Sequence, residues 1–364
     1  MLRSRDDNHN QMSSFVRSLL LFSAAALCVG GIAAGTIGQS SQSVQPPPGA
    51  DQATAQEPTI RVNVDLVNIL FTVKTKKGGQ LIPNLEKNNF SISEDGKPQT
   101  IEHFSRETDL PLTLGLLIDI SASQERLIDI EREAASAFFS SVIRPKDEAF
   151  LISFGKDTEL LQDFTSSPQS LSAALRDLRG DGQTPMIGGA PIPNTGPLPT
   201  SGTPKGTLLF DAVYLASNEK LKSEVGRKAL ILITDGEDQG STYNIKTAIE
   251  AAQRADAIIY SIYYVDRAFY AQGGMMFGGG GGEHDLHKMS EETGGHVFTV
   301  SRKHPLNQVF DEIQEELRNQ YSIGYESTNS KRDGSFRHIQ IKVDNPDYRA
   351  QAREGYYATS NDAR

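Results

Sequence analysis

Tryptophan is absent from the 364 residues, and cysteine occurs once, as Cys28. A lone thiol makes no intrachain disulfide. Cys28 also lies inside an apolar N-terminal run, so the remainder of the chain uses neither disulfides nor thiol chemistry. Basic clusters are lacking as well. The 36 Lys and Arg against 46 Asp and Glu leave a formal net charge of -10, which argues against nucleic acid and suits divalent cations. Histidine is scarce: none occurs between His103 and His284, and no Gly-x-Ser-x-Gly elbow is present. A serine nucleophile in that stretch has no base near it in sequence. The run of five glycines at 278–282 lacks the lysine and following Ser/Thr of a phosphate loop. Enzymatic activity is not expected.

The N-terminus carries what the rest does not. Arg3, Arg5 and Arg17 precede "SLLLFSAAALCVGGIAAG", Ser18–Gly35. A positive flank, an apolar stretch and small residues form a secretory signal, with cleavage expected near Ala33–Gly38. The alternative is an uncleaved anchor, since the run is nearly long enough to span a bilayer. Leu27 stands where a lipoprotein site needs a small residue. Residues 1–38 are thus signal or anchor, and the protein is expected in the periplasm or outside the cell. Residues 39–58, rich in Pro, Gln and Ser, hold too little apolar surface to fold and read as a linker.

Structure is expected to resume at residue 59. "TIRVNVDLVNILFTVKT" sketches a long strand, and "FSISEDGKPQTIEHFS" alternates around an Asp95–Gly96 turn, a hairpin signal. Residues 59–110 therefore form a small β unit. From Leu112 the pattern changes to continuous apolar runs ("LTLGLLID", "EAFLISF", "KALILIT", "AIIYSIYYV") separated by helical stretches. The first helix is expected to bury Leu127, Ile130, Ala134, Phe138 and Val142; the second is capped by Ser167 with Pro168 in its first turn. Strands buried on both faces and alternating with helices indicate an α/β, doubly wound, mainly parallel sheet over residues 111–320. Two long Gly-rich loops, 179–206 and 267–283, interrupt it, each functional or disordered. Residues 321–358 return to three short strands, "YSIGYES", "RHIQIKV" and "RAQAREGYY", expected to pair with the N-terminal unit in a β-sandwich-like lobe. Residues 359–364 are a tail.

Three segments carry the candidate chemistry. Asp119, Ser121 and Ser123 follow the first buried strand, Asp235 follows a later one in "ILITDGEDQGS", and Thr207 opens "TLLFDAV". Ligands of open parallel sheets bind beyond the carboxyl ends of the strands where strand order reverses. Each segment alone also suits a helix cap or a turn. Together, two carboxylates and three hydroxyls are a hard, all-oxygen set suited to Mg²⁺, Mn²⁺ or Ca²⁺ and poorly suited to zinc or copper. The hydroxyls are neutral, so a divalent ion held there stays electrophilic and can accept an outside carboxylate. His284, Asp285 and His287 follow the glycine run, but Asp285–Leu286–His287 lacks a third and fourth ligand and fits the start of a surface helix. Glu237 and Asp238 read as solvated turn charges.

Asp119–Ser123, then Gly206–Thr207, then Thr234–Gly236, in that order, resemble the metal-ion-dependent adhesion site of the von Willebrand factor type A domain. The resemblance spans about Leu112–Gln320. It implies that Ser121, Ser123 and Thr207 coordinate through hydroxyls, and that Asp119 and Asp235 bind directly or through water. It further implies Mg²⁺, or Mn²⁺ or Ca²⁺, and a protein partner offering an acidic residue. The flanks "LEKNNFSISEDGKPQTIEHF" and "LRNQYSIGYES…REGYYA" are similar to exported type A-related proteins of acidobacteria and similar bacteria. The Gly/Pro-rich stretch directly before Thr207 departs from the family pattern and bears on how the site is shaped. The expected function is metal-dependent binding of a protein partner, without nucleic acid and with membrane contact only through an N-terminal anchor. A metal-stabilised structural module is the alternative, and an exported hydrolase a more distant one.

Overall fold

The computed structural model describes residues 66–106, 110–180, 186–187, 190–191, 206–266 and 281–358. All of them belong to the compact unit Val62–Arg364. The expected signal and linker, residues 59–65 of the first strand, the tail and most of both Gly-rich loops lie outside the described residues.

The N-terminal flank supplies β1 (Leu66–Thr75), β2 (Phe90–Glu94), β3 (Lys97–Gln99) and β4 (His103–Arg106). The turn between β2 and β3 is Asp95–Gly96, with φ of 47° and 77°. Positive φ at both positions is what a two-residue type I′ hairpin requires. The chain continues through β5 (Leu112–Asp119), α1 (Ile128–Val142), β6 (Glu148–Phe154), β7 (Thr158–Thr165) and α2 (Pro168–Asp177). A two-residue pair, β8 (Met186–Ile187) and β9 (Ala190–Pro191), precedes α3 (Leu209–Leu215), which runs on as a wider turn over Ala216–Leu221. Then come β10 (Arg227–Thr234), α4 (Ile245–Arg254), β11 (Ala257–Tyr263), α5 (Gly281–Thr293), β12 (Val297–Thr299) and α6 (Leu306–Arg318). The C-terminal flank adds β13 (Tyr321–Glu326), β14 (Phe336–Val343), β15 (Tyr348–Ala352) and β16 (Gly355–Tyr357).

The central sheet has the order β12-β11-β10-β5-β6-β7. Its pairs are parallel except β6 with β7. Every residue of β5 and of β10 is buried, as continuous apolar strands covered on both faces must be. Helices α1, α2 and α6 pack one face, and α3, α4 and α5 the other. The strand β7 is absent from the sequence expectation. It is an edge strand whose residues are all half-buried or exposed, so no apolar run marks it.

The first helix also differs from its expected face. Ile130 is exposed at 51%, and the buried positions are Ile128, Glu131, Ala135, Phe138, Phe139 and Val142. The stripe is rotated because an acidic residue, Glu131, occupies a core position that an apolar count passes over.

The flanks build the smaller lobe. One antiparallel sheet has the order β15-β1-β13-β4, the other β16-β14-β2-β3. Val67, Ile69, Phe71, Phe90, Ile92, Tyr321, Ile323 and Tyr325 are buried together as their core. Phe71, Phe90, Phe104 and Tyr321 stack with centroids 5.2–5.8 Å apart. Each such ring, once buried, contributes about 1.5–3 kcal/mol. The segment expected as one strand, "RAQAREGYY", divides into β15 and β16, which join different sheets. The break falls where Arg353 turns away to Asp256 and to the Asn68 carbonyl. Directly after it, Gly355 lies so close to the Arg337 carbonyl that a Cβ would sit 2.2 Å from it.

A buried ion pair joins lobe to sheet domain. Lys74 of β1 donates to Glu316 of α6 at 2.5 Å and lies 3.2 Å from His296. The Glu316 side chain is only 4% exposed. Lys74→Ala leaves that carboxyl buried without its cation and should cost about 3 kcal/mol. Lys74→Met with Glu316→Leu should restore most of the loss. Urea denaturation of the two variants distinguishes this from a surface ion pair, for which both would stay within about 1 kcal/mol of wild type.

Candidate metal centre

Strands β5 and β10 are neighbours, with Ile118 opposite Ile233. From that pair the chain departs in opposite directions, β5 through α1 to β6 and β10 through α4 to β11. Their carboxyl ends therefore flank the crevice where strand order reverses. Asp119 is the last residue of β5, and Asp235 follows the last residue of β10, Thr234. Thr207 comes to the same end of the sheet, because the next residue, Leu208, donates its amide to the carbonyl of Gly155 just past β6.

Side-chain bonds organise the crevice. Asp119 Oδ1 accepts the Ser121 amide at 2.9 Å, and its Oδ2 accepts the Thr234 hydroxyl at 2.6 Å. That hydroxyl in turn accepts the Gly236 amide at 2.9 Å. The hydroxyls of Ser121 and Ser123 are 3.1 Å apart. Asp235 Oδ1 accepts the Glu237 amide at 3.2 Å. Asp119, Ser121, Thr207 and Asp235 are buried, and Ser123 is half-buried. Thr207 joins through backbone: Gly206 donates to the Gln239 carbonyl and Gln239 to the Thr207 carbonyl, each at 2.8 Å.

The capping reading does not survive this geometry. Helix α1 begins at Ile128, several residues beyond Ser123, and its N-cap Leu127 makes no side-chain bond. The N-cap of α3 is Leu208, not Thr207. The amides of Phe210 and Asp211 are taken by Asp238 and Ser241, each at 3.2 Å. Asp238, read from sequence as a solvated charge, instead clamps the Asp235 loop to the start of α3, and its Oδ1 also accepts Ser241 Oγ at 2.5 Å.

Electrostatically the crevice is acidic. Burial, and then the charge of Asp235, push the Asp119 carboxyl up to about 7, partly offset by its bonds from Ser121 and Thr234. Burial followed by the charge of Asp235 also raises Glu237. A divalent cation relieves this repulsion, and the five oxygen-bearing side chains supply donors of the hard kind it takes. The residues fit such an ion.

A glycine contact fixes the second loop. Gly236 has φ of 83°, and a Cβ on Gly282 of α5 would lie 2.5 Å from the Asp235 carbonyl oxygen. The first turn of α5 thus presses on the backbone that carries Asp235. On the same helix His284 and His287 are exposed, and His287 meets Glu291 at 3.2 Å. Among the described residues no three His, Cys, Asp or Glu are grouped to hold a metal by themselves. Sequence reasoning missed Glu131, which is fully buried and raised well above the usual carboxylate range by burial and by the charges of Asp119 and Asp235. Its signal was its spacing, three residues after Ile128 and four before Ala135.

The pattern of the von Willebrand factor type A domain matches residues 200–312, so a domain of that kind is present. The match includes Thr207 and Asp235 and begins after the Asp119–Ser123 segment. No curated protein matches the chain. Among solved structures the chain is similar to the conserved hypothetical protein BatB from Bacteroides thetaiotaomicron, at 17% identity over 57% of this chain and 97% of that one (TM-score 0.39). It is similar to a von Willebrand factor type A protein from Catenulispora acidiphila, at 12% identity over 76% of each chain (TM-score 0.43). It is also similar to proximal thread matrix protein 1 from the mussel byssus with a zinc-occupied MIDAS motif, at 14% identity over 60% of this chain and 48% of that one (TM-score 0.42).

Two outcomes follow from the site. The folded protein holds the Asp119 proton to about pH 7, whereas the unfolded chain releases it near its ordinary value of 3.8. Between those values the native state binds more protons, so the contribution of this group to stability is full below about pH 4 and is lost as pH rises through 7. Thermal melts in EDTA should show this loss, a few kcal/mol, and Asp119→Asn should flatten it. Gly282→Ala should displace the Asp235 loop and weaken binding of added Mg²⁺ at least several-fold by calorimetry; unchanged affinity would mean that α5 does not position Asp235.

Proposed function

We propose that this chain is an extracytoplasmic binding protein that recognises a protein partner through a divalent cation held by Asp119, Ser121, Ser123, Thr207 and Asp235. The observation that carries it is the burial of two carboxylates on adjacent strand ends, with hydroxyls beside them. Such a pair is unfavourable without a cation and supplies donors for one. From these five residues the ion receives at most two negative charges, which leaves it able to take a carboxylate from an acidic residue of the partner. Mg²⁺ is the expected ion, with Mn²⁺ and Ca²⁺ of the same donor preference.

Binding is favoured over catalysis because the Ser121 and Ser123 hydroxyls face each other and, among the described residues, neither is bonded to a histidine. Export rests on the Arg-flanked apolar segment at residues 18–35. Among the described residues no helix is long and apolar enough to cross a membrane. In this reading residues 59–110 and 321–358 form the lobe that carries the binding domain, 111–320.

Residues 40–364, immobilised and exposed to an extracytoplasmic extract, test this. The comparison is Mg²⁺ against EDTA, and wild type against Asp119→Ala. A protein retained only by wild type in Mg²⁺ supports metal-bridged recognition. Identical retention in all four conditions refutes it, and the cation then has only a structural role, read as a lower melting temperature on its removal.

A further inference from the structure

Among the described residues, Glu131 alone buries a carboxyl group with neither oxygen hydrogen-bonded. It has no exposure to solvent and lies on the core stripe of α1. A carboxyl group in that position costs several kcal/mol that a leucine or alanine would not. The charges that act on it are those of Asp119 and Asp235, both of its own sign. No packing reason favours an acid there.

The surroundings share the same excess of acceptors. Gln124, in the turn between Ser123 and α1, is fully buried, and its Oε1 lacks a donor while its Nε2 donates to the Tyr264 carbonyl at 3.1 Å. Tyr264 is common to both, since burial and then the charge of Glu131 raise its hydroxyl. Three buried acceptor atoms, on two residues, thus lie near the start of α1 without donors among the described residues. Groups of this kind are satisfied by water or by a cation and the water it carries.

We propose that Glu131 is a positioning residue of the cation site, placing a third carboxylate behind Asp119 and Asp235 and accepting hydrogen bonds from water that accompanies the ion. This rests on the reading of Asp119, Ser121, Ser123, Thr207 and Asp235 as a cation site. It deepens that reading: the charge that holds the ion comes partly from a helix outside the three loops. Outer partners of metal ligands typically govern affinity by about 10–100-fold.

The test measures Mn²⁺ binding to the full chain by the loss of the free-ion EPR signal, with Mg²⁺ as competitor, and melting in EDTA alongside it. Glu131→Gln should weaken Mn²⁺ binding about tenfold or more and yet leave the melting temperature in EDTA close to that of wild type, because without the ion burial and like charges hold the carboxyl protonated and the amide replaces one neutral group by another. Glu131→Asp keeps the charge. It should recover part of the affinity although its shorter side chain leaves space in the core and lowers the melting temperature. Affinity in Glu131→Gln equal to wild type, with the melting temperature also unchanged, would make Glu131 only an ill-placed core acid and overturn the proposal. Affinity that falls equally in Glu131→Gln and Glu131→Asp would also overturn it, since charge would not be the cause. If wild type and Asp119→Ala bind Mn²⁺ alike, the cation site itself is lost, and the role of Glu131 with it.

Discussion

Repulsion between two buried carboxylates organises this molecule. Asp119 and Asp235 stand at the ends of neighbouring strands with almost no access to water, and burial, then the charge of Asp235, raise the Asp119 carboxyl. The surrounding backbone is arranged to hold them there. Thr234 bridges from β10 to Asp119, Gly236 donates to Thr234, and Gly282 brings α5 against the carbonyl of Asp235. The sheet supplies the frame, because only at the β5/β10 junction do connections leave in opposite directions. Moving either strand by one residue would turn its acid to the other face of the sheet.

Much of this was legible in the chain. Continuous apolar runs gave the buried strands, and the Asp95–Gly96 turn gave the first hairpin. The doubly wound α/β class follows from the alternation of those runs with helices. What was not legible has physical causes. Strand β7 is half-exposed along its length, so it lacks the apolar run that marks its neighbours. The rotation of α1 was hidden because Glu131 reads as a surface residue by composition although it occupies the core. The division of β15 from β16 depends on Arg353 reaching Asp256, a contact between residues far apart in sequence. Asp238 looked like a solvated turn residue because its role, bonding the start of α3, exists only once two loops meet.

The site residues illustrate the same distinction. The residue types, two aspartates and three hydroxyls in three segments, suggested an oxygen-donor site from sequence. Structure sets aside helix capping, since α1 starts too far downstream for Asp119–Ser123 to cap it and Leu208 rather than Thr207 caps α3, whereas Asp119 and Asp235 each do accept the amide two residues on, as in a turn. The matched family pattern covers the later two segments, and the pairing of β5 with β10 ties the first to the last.

The lobe's strand order has a kinetic meaning. In the sheet β15-β1-β13-β4, strands from the start and end of the described chain alternate, and Ser322 bonds to Asn68 across 254 positions. An open loop of that length closes slowly. The intervening sheet domain shortens it by bringing residues 110 and 321 to one end of a folded body, where Arg227 donates to the carbonyls of both Leu110 and Leu317. The folded inserted domain thus lowers the separation that the two flanks must close. Both partners of β1, β13 and β15, come from the C-terminal flank, so its two edges are covered only by the end of the described chain.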